Sequence, residues 1–482
     1  MLALCPVPPN ARVNPRSQAA AERPVLDSCL YGSQHLACGQ RAARRTVDAV
    51  CIHLCKGDVS LAATIAATLK IPAPTVSLRW PWRPVRVARP TRLIFGLSFI
   101  LLLSLHTQAQ AAPYTPSADT QVLERVPARA SDPAAREMQA LRQAWRAQPQ
   151  DLQAATRLAW RYQAEVAATG DPRYMGYIQA ALQPWWVLPD APPEVRVLRA
   201  VVLQFDHQFD PALADLKAVL DVQPANVTAL TWQLAIQMVR ADYPAARASC
   251  TRLQPLVSPL VAAACQAQVD AITGRADTAA AALRTALQRE TGADPAERLW
   301  SLTRLAEIET HRGDRAAAQA AFDQALALGI DDVYLQAAHA DFLLDQGRAA
   351  EVVARLKDRA RADVLLLRLA LAAKAAGDPL SAASTRELQA RFDAARLRGD
   401  NSHRKEESRH ALVLRGDLPL ALKLASENWA QQKEPADARV LLEAALAARD
   451  RGAAQPVLQW LTDSGFASVT LQDLASRVRA LP

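Results

Sequence analysis

The segment "NSHRKEESRHALVLRG", which begins at Asn401, holds the densest run of residues able to do chemistry. On a helix, His403, Glu406 or Glu407, and His410 fall three or four positions apart and share one face, where imidazoles and a carboxylate could hold a metal ion. The same spacing suits a partner-contact patch, or a solvated face tied by ion pairs such as Arg404 with Glu407, so no metal ligand is assigned. Cys38, Cys51 and Cys55 lack the second CxxC-type pair or the nearby histidines that would complete four ligands. There is no GxSxG elbow, HExxH helix, phosphate-binding glycine loop or dinucleotide fingerprint. The expectation is a protein that is not an enzyme, with no catalytic residue and no cofactor. Trp185 and Trp186 follow Tyr174 and Tyr177. Adjacent tryptophans cannot both face the core of one helix, so at least one contacts a loop, a partner or a sugar ring. Packing of the first repeat against the turn "LPDAPPE" competes with a partner role.

The elements that must position these residues are helical. Beyond Ala112 the chain is rich in Ala, Leu, Arg, Gln, Asp and Glu, Gly and Pro fall mainly between apolar runs, and nothing alternates with period two. The clearest unit is "LWSLTRLAEIETHRGDRAAAQAAFDQALALG", residues 299 to 329. Counted from Gly313, Ala306 stands seven residues before, Ala318 five after and Phe322 nine after. This pattern resembles the tetratricopeptide repeat, which pairs two antiparallel helices in about 34 residues. The offsets recur around Gly347, with Ala340 and Leu356, and around Gly274, with Ala267, Ala279 and Leu283. "HQFDPALADLKAVLDVQP" and "ADYPAARASCTRL" align upstream without a glycine. Downstream, Gly377, Gly416 and Gly452 mark later turns, although Arg409 breaks the pattern of the middle one.

The resemblance implies an all-α fold, an α-solenoid with a right-handed superhelix of helix-turn-helix repeats over 134–465 and a capping helix over 466–482. It also implies that the first helix of each pair lines a concave groove open to a protein or peptide partner. Projection places Glu194, Gln204, Thr228, Thr231, Gln268, Trp300, Thr303, Glu307, Thr310, Tyr334 and Asp341 in that groove, followed by Lys374, His403, Glu406, His410, Arg439 and Arg449. Trp300, Glu307, Tyr334, Asp341, His403, Glu406 and His410, with Trp185 and Trp186, are the candidate partner-binding residues. Repeat packing brings together the helices that carry Cys250 and Cys265, as an inter-repeat disulfide or as two buried thiols.

Upstream, Arg83, Arg86, Arg89 and Arg92 precede an uncharged run from Leu93 to Leu105, and Ala109-Gln110-Ala111 offers a small-x-small site. This order reads as a signal peptide over 85–111 cleaved after Ala111, preceded by an extension (1–84) that is disordered or mistranslated upstream sequence, and followed by a linker over 112–133. The run is short of the roughly 20 apolar residues a spanning helix needs. The chain has 56 Lys and Arg against 48 Asp and Glu, and 13 against 4 of these lie at or before Ala111, leaving 43 against 44. The near-neutral remainder gives no electrostatic reason to expect a nucleic-acid partner. The expectation is a non-catalytic periplasmic protein-binding scaffold or assembly factor, touching the membrane only through an uncleaved signal. The alternatives are an inner-membrane-anchored adaptor of an envelope or polysaccharide export machine, and a metal-handling accessory protein.

Overall fold

The computed structural model describes residues 132–400 and 402–482; the signal segment, the extension and most of the linker lie outside them. Among the described residues there is no strand. The helices are α1 (Pro133–Ala147), α2 (Leu152–Thr169), α3 (Arg173–Ala181), the short α4 (Gln183–Trp186), α5 (Pro193–Phe205), α6 (Phe209–Val222), α7 (Val227–Val239), α8 (Tyr243–Leu253), α9 (Pro259–Ile272) and α10 (Ala276–Arg289). They continue as α11 (Pro295–Arg312), α12 (Arg315–Ala327), α13 (Val333–Asp345), α14 (Ala349–Leu356), α15 (Asp363–Ala376), α16 (Leu380–Leu397) and α17 (Arg404–Arg409), which runs into a π-helical turn (His410–Arg415). α18 (Leu418–Gln431), α19 (Pro435–Ala448), α20 (Arg451–Ser464) and α21 (Val469–Arg479) complete the chain. Successive helices pack as antiparallel pairs, α5 with α6, α7 with α8 and onward, and each pair packs on the next. The result is an α-solenoid.

Local sequence explains where the helices start and turn. Asp151, Asn226, Ser258, Asp294, Asp314, Asp332, Asp417 and Asp450 each accept a hydrogen bond from a backbone N–H of the first turn, meeting donors that the helix leaves unpaired. The glycines at 274, 313, 347, 377 and 416 take the left-handed conformation between paired helices. In the two units without a glycine, His207 and Ala241 adopt it instead, with φ of 58° and 57°. Gly452 departs from expectation. It lies inside the first turn of α20, and Arg449, with φ of 57°, makes the reversal before it.

The small and large repeat residues meet between helices. Ala267, Ala306, Ala318, Ala340 and Ala370 are buried with Leu283, Phe322 and Leu356. Their burial supplies the main driving force, about 25 cal/mol per Å² of apolar surface removed from water. Cys250 on α8 and Cys265 on α9 are joined by a disulfide, with Cα atoms 5.8 Å apart.

The solenoid also touches itself five or six hairpins further along. Gly170, at the end of α2, lies so close to Ala362 and Val333 that an added Cβ would sit 2.7 Å from the Ala362 Cβ. The indole N–H of Trp460 on α20 donates to the Tyr243 hydroxyl on α8 at 2.9 Å, and the Lys433 amide donates to the Val239 carbonyl at 2.8 Å. Tyr243 and Ile272 belong to the core of the last two hairpins, not to the core nearest them in sequence. The final helix therefore does more than cover the last repeat. Val469 packs on Gly313, and Phe466 meets the His311 ring with centroids 4.9 Å apart, so the C-terminal end closes over the middle of the inner face.

Candidate binding site

Closure turns the inner face into a chamber of about 290 Å³, lined by α7, α9, α11, α13, α15, α17, α19 and α21. Helical spacing sets what each contributes. On α11, Trp300, Arg304, Glu307 and His311 recur at intervals of four, three and four, which stacks them along one face. Tyr334, Asp341 and Asp345 do the same on α13, Arg368 faces them from α15, and Lys405, Glu406 and Arg409 come from the single turn of α17. Glu434 and Arg439 close the polar side, while Leu234, Met238, Ile272, Phe322, Phe342, Phe466 and Leu471 form an apolar wall.

The charges are arranged in linked pairs. The Arg304 guanidinium lies over the Tyr334 ring, 4.9 Å from its centroid, and its Nη2 is 2.7 Å from Glu307 Oε2. The Tyr334 hydroxyl donates to the other Glu307 oxygen. Burial pushes the Glu307 carboxyl up, against the pull of Arg304. Asp341 accepts from Arg368 at 2.6 and 3.1 Å and from Arg409 at 2.9 Å. Burial works against its charge, yet the two guanidiniums win and hold the carboxyl well below the usual range. Arg439 grips Asp345 with two bonds of 2.7 and 2.8 Å and donates to Glu443 at 2.7 Å. Lys405 is 3.4 Å from Asp437; burial would lower its pKa, and Asp437 with Glu406 raises it instead. Glu406 is opposed by burial but held down at about 2, chiefly by Lys405.

Several N–H groups of the lining residues are turned away from this space and lie buried behind its surface. Trp300 Nε1, Arg304 Nε and Nη2, and Arg409 Nε are buried without an aligned hydrogen-bond partner; Arg304 Nη2 reaches ion-pair distance of Glu307 but not hydrogen-bond geometry. Buried donors of this kind are costly unless something accepts from them.

Of the residues expected in the groove, Trp300, Glu307, Tyr334, Asp341 and Glu406 line the chamber, with Thr231, Gln268, Thr310 and Arg439. His403 and His410 do not. His403 packs against Phe392 and lies 3.8 Å from Asp400, and His410 is buried with Nε2 3.1 Å from the Thr385 carbonyl. The α-to-π change at His410 widens the turn, so the helical wheel that put His410 on the Glu406 face no longer applies. Among the described residues no group of His, Cys, Asp and Glu is placed to hold a metal ion. Trp185 and Trp186 also lie away from the chamber. They pack half-buried against the core, and Arg199 donates to the Trp186 carbonyl at 2.5 Å. Thr303 is spent on the Leu299 carbonyl and Lys374 on that of Val413.

Arg304, Arg368, Lys405, Arg409 and Glu434 are chamber residues that projection of the sequence overlooks. One signal pointed to them: Arg409 occupies the position, seven before the turn glycine, where the regular hairpins carry alanine.

No family model and no curated protein matches the chain. Among solved structures, the crystal structure of the P58(IPK) TPR domain is similar at 14% identity over 60% of this chain and 98% of that one, with a TM-score of 0.21. The structure of Naa15/Naa10 bound to HypK-THB is similar at 15% identity over 72% and 78%, with a TM-score of 0.22. With superpositions this loose, the fold description rests on the chain's own helix packing.

Proposed function

We propose that this chain is a non-catalytic binding scaffold, exported to the periplasm, that holds a protein partner through a short segment placed in the chamber. The observation that carries the reading is the convergence of inner helices from seven successive hairpins and the last helix on one space lined by both apolar and charged side chains. Three of the chamber carboxylates engage neighbouring cations, Glu307 with Arg304, Asp341 with Arg368 and Arg409, and Asp345 with Arg439, so these three are poorly placed to act as a general base beside a nucleophile. Export is supported by the order of basic flank, apolar run and Ala109-Gln110-Ala111. Among the described residues no helix is long and apolar enough to cross a membrane.

Crosslinking in the envelope fraction tests the reading, using the chain as it is and the variant Ala338→Trp, which fills the chamber. A partner caught by the first and lost by the second, with both melting alike, is the expected result. Equal capture by both overturns the chamber as the docking place. The N-terminal residue of the same material reads export: Ala112 is expected, and an intact Leu93–Leu105 run favours the anchored adaptor.

A further inference from the structure

The buried apolar residues fall into two cores. The larger runs along the chain from Met138 to Phe392, and the smaller holds residues from Ala411 to Val478. Of the buried residues of the smaller core, only Tyr243 and Ile272 come from the earlier hairpins. Between the two cores lies α17, whose buried residues are Lys405, Glu406, Glu407 and Ser408, all of them polar. This helix packs mainly on α18. Toward the earlier hairpins the contacts are chiefly ionic: Arg409 with Asp341 at 2.9 Å, Glu407 with Arg396, and Arg439 of α19 with Asp345. The π turn adds His410 against the Thr385 carbonyl and accepts from Lys374 at the Val413 carbonyl, while Leu414 and the packing of His410 on Phe392 supply apolar contact.

A charged plane of this kind parts more easily than an apolar one. Ion-paired groups regain their hydration when both partners separate into water, which offsets much of the attraction lost, whereas uncovered apolar surface has no such compensation. The far edge of the same unit is held by a narrow seam. The Gly465 carbonyl lies on Gly274, whose added Cβ would meet that oxygen at 3.2 Å, and Val469 lies on Gly313. His311 Nδ1 and the Ser468 hydroxyl are 3.2 Å apart, and Trp460 reaches Tyr243. The chamber sits between the two units: α7, α9, α11, α13 and α15 line it from one side, and α17, α19 and α21 from the other.

We propose that α17–α21 is a lid, which swings off the earlier hairpins as one body, parting the seam and the charged plane together, and so admits a partner's segment to the chamber. Hinged closure of two packed units around a site is a recurrent device. The inference rests on the scaffold reading for what enters, but not for the movement.

Thiol labelling of the full chain with N-ethylmaleimide, read site by site by mass spectrometry, tests the movement. Ser468→Cys places a thiol at the seam, where the side chain is 1% exposed, and Ser301→Cys places one in the larger core, at 0%. Melting curves show that each variant is folded. The seam thiol is expected to react at least about a hundredfold faster than the core thiol, since a lid opens without global unfolding. Asp345→Asn, which removes a bond across the charged plane, should speed labelling at Ser468→Cys by about tenfold, the worth of one charge-assisted hydrogen bond. Equal rates at the two thiols overturn the proposal. So does an unchanged rate in Asp345→Asn, which would mean that α21 frays alone. A staple tests the gate: an added Cβ at Gly313 lies 3.8 Å from that of Val469, within disulfide reach. Gly313→Cys with Val469→Cys should lose partner capture when oxidised and regain it when this bond is reduced and Cys250–Cys265 is intact. Equal capture by both forms overturns the gate. If capture ignores Ala338→Trp as well, the docking reading has failed, and the labelling rates alone decide the lid.

Discussion

The hairpins α9–α12 and the inner helices α15–α19 belong to one solenoid, yet they are held together differently. In α9–α12 the interhelix positions are Ala267, Ala279 and Leu283, then Ala306, Ala318 and Phe322, which pack by shape, and the buried Glu309 is paired within the same hairpins by Arg284 and Arg312. In the later region Arg368, Lys405 and Arg409 line the chamber and pair with carboxylates from other hairpins, above all Asp341. Where alanine is expected the chain has Arg409, and the helix widens to a π turn immediately after it. Such turns are frequent at functional sites. The lesson is that a repeat constrains the positions that build its backbone, so departures from it show where something other than stacking has been selected.

The contrast can be broken most directly at Asp341. Asp341→Asn keeps the volume but removes the charge that two buried guanidiniums share, and urea unfolding should show a loss of about 3–5 kcal/mol, the scale for removing one partner of a buried ion pair. The comparable volume-conserving change in the regular region, Leu283→Met, should cost less than about 1.5 kcal/mol. If the two variants unfold alike, the inner ion pairs do not carry the later region.

A smaller effect sharpens the comparison at the seam between the regions. His311 is held at about 4 by burial, aided by Arg439 and opposed by Asp345. Its folded pKa is thus below the ordinary 6.5, so its neutral form stabilises the fold above about pH 6.5 and that stability is lost as pH falls toward 4. Melting temperature should fall across this window and fall less steeply in His311→Asn. His207 and His339, also lowered to about 4 chiefly by burial, supply a background slope that the variant leaves in place. An unchanged slope in His311→Asn would mean that the seam is hydrated.

What the sequence made legible follows the same division. Ala306, Ala318, Phe322 and the glycine turns could be placed because their neighbours are local, within one hairpin or the next. Trp300, Glu307, Tyr334 and Asp341 could be placed because a regular helix fixes which face is left over. Arg368, Lys405 and Glu434 could not, because what they face comes from distant hairpins, and no local period encodes that. His410 was misplaced by a backbone change that a wheel drawn with 3.6 residues per turn cannot foresee. Trp185 and Trp186 are too many aromatic residues for a single helix face, and both pack half-buried against the core.

The bond between Trp460 and Tyr243 spans 217 positions of chain. Linear repeat arrays ordinarily fray from either end, each unit answering only to its neighbours. Here the last hairpin cannot peel off without uncovering part of α8, so these two stretches are coupled in unfolding. Bringing them together is a slow, non-local step, and a ribosome must deliver nearly the whole polypeptide before the enclosure exists at all.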